Sequence, residues 1–166
     1  KLARICKKVS EKTGVKIVPV VSALDVRMVK EKLGMEVWVQ NVDEFFEGAK
    51  SGSISPIQVK EAGGDGTLLN HSECRKKPGT IKKMLKAWPK SFTLTLCLSS
   101  LGQAESWAKN VKPNFIAYEP KNLIGSKDKS VATEKPEIIK KIIKMYPKIP
   151  VLVGARIHSP EDVKVS

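Results

Sequence analysis

Two residues able to move protons stand at the ends of short apolar runs. Glu119 closes the run Phe115-Ile-Ala-Tyr118 and is followed at once by Pro120, so a carboxylate sits where a buried strand opens into a loop. His71 follows Gly66-Thr-Leu-Leu-Asn70 in the same way. Proton abstraction next to a carbonyl needs a base for the C–H proton and a donor that steadies the oxyanion as it forms, and a carboxylate and an imidazole supply those two roles. Each residue alone has a plainer reading: a strand-end Glu as a solvated cap, and a His after a strand as a loop or helix-capping residue. The loop after Pro120 passes through Lys121-Asn-Leu-Ile-Gly125 and a polar stretch over 126–130, the length of a lid or a disordered segment.

These residues are positioned by an alternation of elements. Helical spacing over 2–13 (Leu2, Ile5, Cys6, Val9) stops at Gly14, and a Val/Ile run over 15–21 around Pro19 predicts a buried strand. Ser22, with Asp25 three residues on, opens a helix whose inward stripe is Leu24, Met28, Val29 and Leu33 until Gly34. Residues 36–42 form the next strand, and Ser55-Pro-Ile-Gln58 predicts a capping box with proline in the first helical turn. Further strands are expected over 66–70, 92–98, 115–118 and 151–153, with helices over 80–88, from Ser100/Gln103 through 104–108, over 133–146, and from Ser159 onward. Each strand is followed by a helix. Such alternation means a parallel α/β sheet, either open and doubly wound or closed into a barrel. No Gly-rich dinucleotide fingerprint follows any strand. In a barrel the working face is the C-terminal one, where Asn70-His71, Glu119 and Gly154 all fall.

The totals describe a folded domain: 166 residues, 41% hydrophobic and 28% charged. No apolar run approaches a membrane span, and the opening Lys1-Leu-Ala-Arg-Ile-Cys-Lys-Lys has no signal-peptide core and starts mid-element, as a truncated chain would. Three cysteines, Cys6, Cys74 and Cys97, without metal-ligand spacing fit a reducing cytoplasm. The net charge of +13 raises nucleic acid as a partner. Yet Lys82, Lys83, Lys86, Lys140, Lys141 and Lys144 interleave with Ile and Leu as the outer faces of amphipathic helices, and aromatic residues make up only 5%, which argues against a dedicated nucleic-acid site.

Lys60-Glu-Ala-Gly-Gly-Asp-Gly-Thr-Leu-Leu-Asn-His-Ser-Glu73 and Ala117-Tyr-Glu-Pro120 with Leu123-Ile-Gly125 closely resemble the triosephosphate isomerase family, particularly its archaeal type. Lys135-Pro-Glu137, Val151-Leu-Val-Gly-Ala155 and Ser159-Pro-Glu-Asp-Val163 follow in the family's order, so the resemblance covers nearly the whole chain. It implies one (β/α)8 barrel domain over 1–166, incomplete because only strands two to seven are present, that interconverts dihydroxyacetone phosphate and glyceraldehyde 3-phosphate without cofactor or metal. On it Glu119 is the base and His71 the neutral electrophile, a pairing for which this family is itself the standing example. Glu73 orients charge in the site. Residues 120–127 form a lid that excludes water, and backbone amides near Ile124, Gly125, Gly154, Ala155 and Arg156 cradle the substrate phosphate. The resemblance also implies a homo-oligomer, dimer or tetramer, through the loop over 45–53. Three departures stand out. The family's first strand, with its Asn and catalytic Lys, and its Gly-rich eighth strand are absent; Arg156 replaces a small residue; Cys74 replaces a basic one. The missing lysine strand and Arg156, with the unusually basic surface, motivate one alternative, a catalytically inactive relative kept as a binding or scaffold protein.

Overall fold

The computed structural model describes residues 1–44, 48–120, 131–134, 136–154, 157 and 159–165. Along the chain they form α1 (Leu2–Thr13), β1 (Val20–Val21), α2 (Ala23–Leu33), β2 (Trp38–Val39), α3 (Pro56–Glu61), β3 (Gly66–Leu69), α4 (Pro78–Leu85) and β4 (Thr93–Leu98). There follow α5 (Leu101–Gln103), a π-helical turn (Ala104–Ala108), α6 (Lys109–Val111), β5 (Phe115–Tyr118), α7 (Val131–Glu134), α8 (Pro136–Met145), β6 (Val151–Val153) and α9 (Pro160–Val165). Two compact units result: Lys1–Leu68 with Gly79–Thr93, and Leu69–Pro78 with Leu94–Ser166.

In the first unit β1, β2 and β3 pair in parallel, Val20 opposite Trp38 and Trp38 opposite Gly66. The regular part of β1 is shorter than the Val/Ile run predicts. Pro19 accepts a hydrogen bond from the Trp38 amide (3.0 Å) but has no N–H to return, so the regular ladder starts beyond it. α1 and α2 end where predicted, at Gly14 and Gly34. The inward stripe of α2 differs from the expected one: Val26 and Val29 are buried, while Leu24 is 93% and Met28 46% exposed. A helix buries residues three, four and seven apart, and the set 26-29-30-33 includes Lys30, whose ammonium reaches out to Asp65 (3.0 and 2.9 Å to its two oxygens). Ser22 spends its hydroxyl on the Asp25 carboxylate (3.1 Å) instead of a helix amide. The capping box of α3 forms in full, with Ser55 Oγ accepting from the Gln58 amide (3.1 Å) and Gln58 Oε1 from the Ser55 amide (2.9 Å).

In the second unit β4, β5 and β6 pair in parallel, with Leu98 opposite Tyr118 and Tyr118 opposite Val153. Successive residues Leu94 to Leu98 and Ile116 to Tyr118 are all buried, as expected of strands covered on both faces. The ladder continues one residue past the strand ends: the Glu119 amide donates to Leu98 O (2.8 Å) and the Gly154 amide to Tyr118 O (3.2 Å). Those bonds fix the backbone on which Glu119 is carried. Ser100 accepts from the Gln103 amide (3.2 Å), but Gln103 Oε1 turns to the Ser99 amide (2.8 Å), so the predicted pattern closes one residue early. The helix expected over 133–146 comprises α7 and α8, with Pro136 as the first residue of α8, where its missing N–H costs nothing. Ser159 and Asp162 cap α9 reciprocally, each amide donating to the other's side chain at 3.1 Å. Among the described residues no helix is long and apolar enough to cross a membrane.

Candidate active site

β3 gives way at Asn70, the residue after its end, whose backbone turns left-handed (φ 62°) and whose side chain is buried. The turn that follows carries His71. The Cys74 amide donates to His71 O (3.0 Å), and the Glu73 amide reaches His71 Nδ1 at 3.4 Å. A ring that accepts at Nδ1 carries its proton, when neutral, on Nε2. Nε2 is the nitrogen that faces Glu119, 3.4 Å from Oε2. The backbone of Glu73 thus orients the imidazole. Its side chain is 87% exposed, with Oε2 3.4 Å from Nδ1, a position that pairs only with a protonated ring.

Glu119 is held at the end of β5 with its side chain 17% exposed. Oε2 is buried and, among the described residues, has no aligned hydrogen-bond donor, despite the closeness of Nε2. Burial pushes its carboxyl above the ordinary carboxylate range; His71 and Arg75 pull the other way and Glu73 adds to the rise. Desolvation prevails, which leaves a carboxylate that is a stronger base than one in water. The neighbouring strand tells the same story: burial, aided by Glu119 and opposed by Arg75, pushes the Cys97 thiol up to about 12. Such a thiol is inert.

Arg75 was not singled out by its spacing. Its Nη1 donates to Asn70 O (2.8 Å), which brings a fixed cation close enough to act on both Glu119 and Cys97. The only local signal for it was a basic residue four positions after His71 in the turn. Of the remaining expected site residues, Gly154 packs against Glu119: a β-carbon there would stand 3.2 Å from Glu119 Cγ. Ile124, Gly125, Ala155 and Arg156 lie outside the described residues, as does the expected lid beyond Pro120. Among the described residues no cluster of His, Cys, Asp and Glu has the makings of a metal site.

Parallel strands alternating with helices, and a carboxylate beside an imidazole at strand ends, define an α/β protein equipped for proton transfer next to a carbonyl. A model of the triosephosphate isomerase family matches residues 1–166. The triosephosphate isomerase of Methanothermus fervidus is 36% identical over 99% of this chain and 75% of its own length, and that of Thermoplasma volcanium is 38% identical over 92% and 72%. Among solved structures, triosephosphate isomerase from Bartonella henselae superposes with a TM-score of 0.65 over 89% of this chain and 69% of that one, at 21% identity, a likeness of fold. The chain belongs to the triosephosphate isomerase family. Its fold is the TIM barrel, represented among the described residues by six strands, and it is an isomerase that interconverts dihydroxyacetone phosphate and glyceraldehyde 3-phosphate.

Proposed function

We propose that Glu119 and His71 carry the isomerisation between them. The carbonyl oxygen and the neighbouring C–H of the substrate are close together, so the donor and the base that serve them must be neighbours too. The observation that carries this reading is the 3.4 Å approach of His71 Nε2 to Glu119 Oε2, with that oxygen hydrogen-bonded to no other partner among the described residues. Glu119 takes the proton from carbon as the carbonyl becomes an enediolate; the Nε2 proton steadies the oxyanion and passes to it while Nε2 takes up the proton of the neighbouring hydroxyl, whose oxygen becomes the new carbonyl; Glu119 then returns its proton to the adjacent carbon. Glu73 serves through its backbone amide, which holds Nδ1 as an acceptor. Gly154 gives Glu119 its space, and the phosphate is taken by amides near Ile124, Gly125, Gly154, Ala155 and Arg156.

The same reading makes residues 1–166 part of one barrel domain of a cytoplasmic homo-oligomer. The free thiols of Cys6, Cys74 and Cys97 agree with a reducing compartment. Asp43 clamps the base of the expected subunit-contact loop, its amide donating to Ile54 O (2.8 Å) and its carboxylate accepting from the Ile54 amide (3.0 Å). Residues 45–47 of that loop lie outside the described set. The test is Glu119→Gln in the full-length protein. Turnover should fall by about 10²- to 10⁴-fold with KM nearly unchanged. Retention of turnover would remove Glu119 from the mechanism.

A further inference from the structure

We infer that Asn70 is a positioning residue for the His71–Glu119 pair: it ties the turn that carries His71 to the same stretch of β4 that holds Glu119. The inference rests on the roles given above to His71 and Glu119.

Three hydrogen bonds meet on Asn70, which is 1% exposed. Nδ2 donates to Cys97 O (2.8 Å), Oδ1 accepts from the Lys76 amide (3.1 Å), and the main-chain O accepts from Arg75 Nη1 (2.8 Å). The side-chain orientation follows from the partners, since a flipped amide would set oxygen against the Cys97 carbonyl and NH₂ against the Lys76 N–H. The next carbonyl of β4, that of Leu98, accepts the amide of Glu119 (2.8 Å). Consecutive residues of one strand therefore hold both members of the pair, and a single peptide unit separates their anchors. The bonds to Arg75 and Lys76 close the turn on the far side of His71, so the imidazole is held from both directions.

Backbone geometry explains why asparagine suits the position. At φ 62° a residue with a side chain is uncommon, and asparagine tolerates that region better than most. Glycine would tolerate it too but would remove the side-chain amide that bonds the Cys97 carbonyl and the Lys76 N–H. A misplacement of the imidazole by a fraction of an ångström acts on the transition state more than on substrate binding.

Asn70→Gly keeps the backbone freedom and deletes the amide. Asn70→Asp keeps the shape but turns an oxygen toward the Cys97 carbonyl. In folded, full-length protein each should lower kcat by about 10- to 100-fold with KM within about twofold. Wild-type kcat in both variants, even with a lowered Tm, would reduce Asn70 to a structural residue and overturn the inference. If neither variant folds, exchange of the Asn70 side-chain NH₂ protons in the unaltered protein decides: protection supports the clamp, and exchange as fast as in an exposed asparagine overturns it. Glu119→Gln in the same assay separates the two claims, because preserved turnover there means that the site itself was misread, whereas lost turnover beside active Asn70 variants condemns only the positioning role.

Discussion

Gly154 leaves little room for a side chain beside Glu119: a β-carbon would stand 3.2 Å from Glu119 Cγ and 3.3 Å from Oε1. Those distances are tighter than ordinary contact, and the neighbour that must yield by a few tenths of an ångström is the proposed base. Gly154→Ala should therefore lower kcat by about tenfold, because a displaced base loses alignment with the C–H bond. The Gly154 amide keeps its bond to Tyr118 O, so the fold should persist. Steady-state kinetics beside a thermal melt checks both, and an alanine variant with unaltered kcat would mean that Glu119 does not depend on this packing.

Burial raises the Glu119 carboxyl above the ordinary carboxylate range, and the sign of its effect on stability follows. The folded protein holds this proton more tightly than the unfolded chain, so this group's contribution falls as pH rises from the ordinary value through the raised one. Glu119→Gln, neutral and of the same shape, should melt at a higher temperature than wild type at neutral pH while losing turnover. Below the ordinary carboxylate range the two should melt alike. Carboxyl NMR of the ligand-free protein should show Glu119 titrating above the ordinary carboxylate range. A variant less stable than wild type at neutral pH would show that the carboxylate is stabilised by partners after all.

The first unit offers a contrast, stability without chemistry. Asp65 accepts from Lys30 Nζ and, through Oδ2, from the Val37 amide (3.0 Å), with both charged side chains about one-third exposed, at 36% and 35%. A half-screened ion pair contributes little, and the amide bond adds about 1 kcal/mol. Asp65→Ala should cost about 1–2 kcal/mol in denaturant unfolding. Turnover of the folded protein should stay at the wild-type level, and a large loss of kcat would contradict the division of labour drawn here.

Much of this was legible in the sequence where local chemistry decides. Runs ended by a turn-forming residue gave β3, β4 and β5 to within a residue or so, and Ser55 with Gln58 announced a capping box that forms as expected. The residues His71 and Glu119 were visible because each ends an apolar run, and their meeting was expected from the family resemblance. What local patterns could not give is the long-range bonding. The amide of Asn70 finds a carbonyl 27 positions away on β4, and Arg75 acts on Glu119 across the turn. Neither relation leaves a trace in spacing. The stripe of α2 failed for a related reason: Leu24 and Met28 fit the helical period, but the buried side is the one that also lets Lys30 reach Asp65.

The central claim is that His71 and Glu119 act on one transition state, and a double-mutant cycle on kcat addresses it most directly. Glu119→Gln, His71→Gln and the double variant are compared in full-length protein. Residues that serve the same step lose far less together than the product of their separate losses, and the cycle should show that shortfall. Losses that multiply in full would mean that the two side chains work independently, and their 3.4 Å approach would then carry no catalytic meaning.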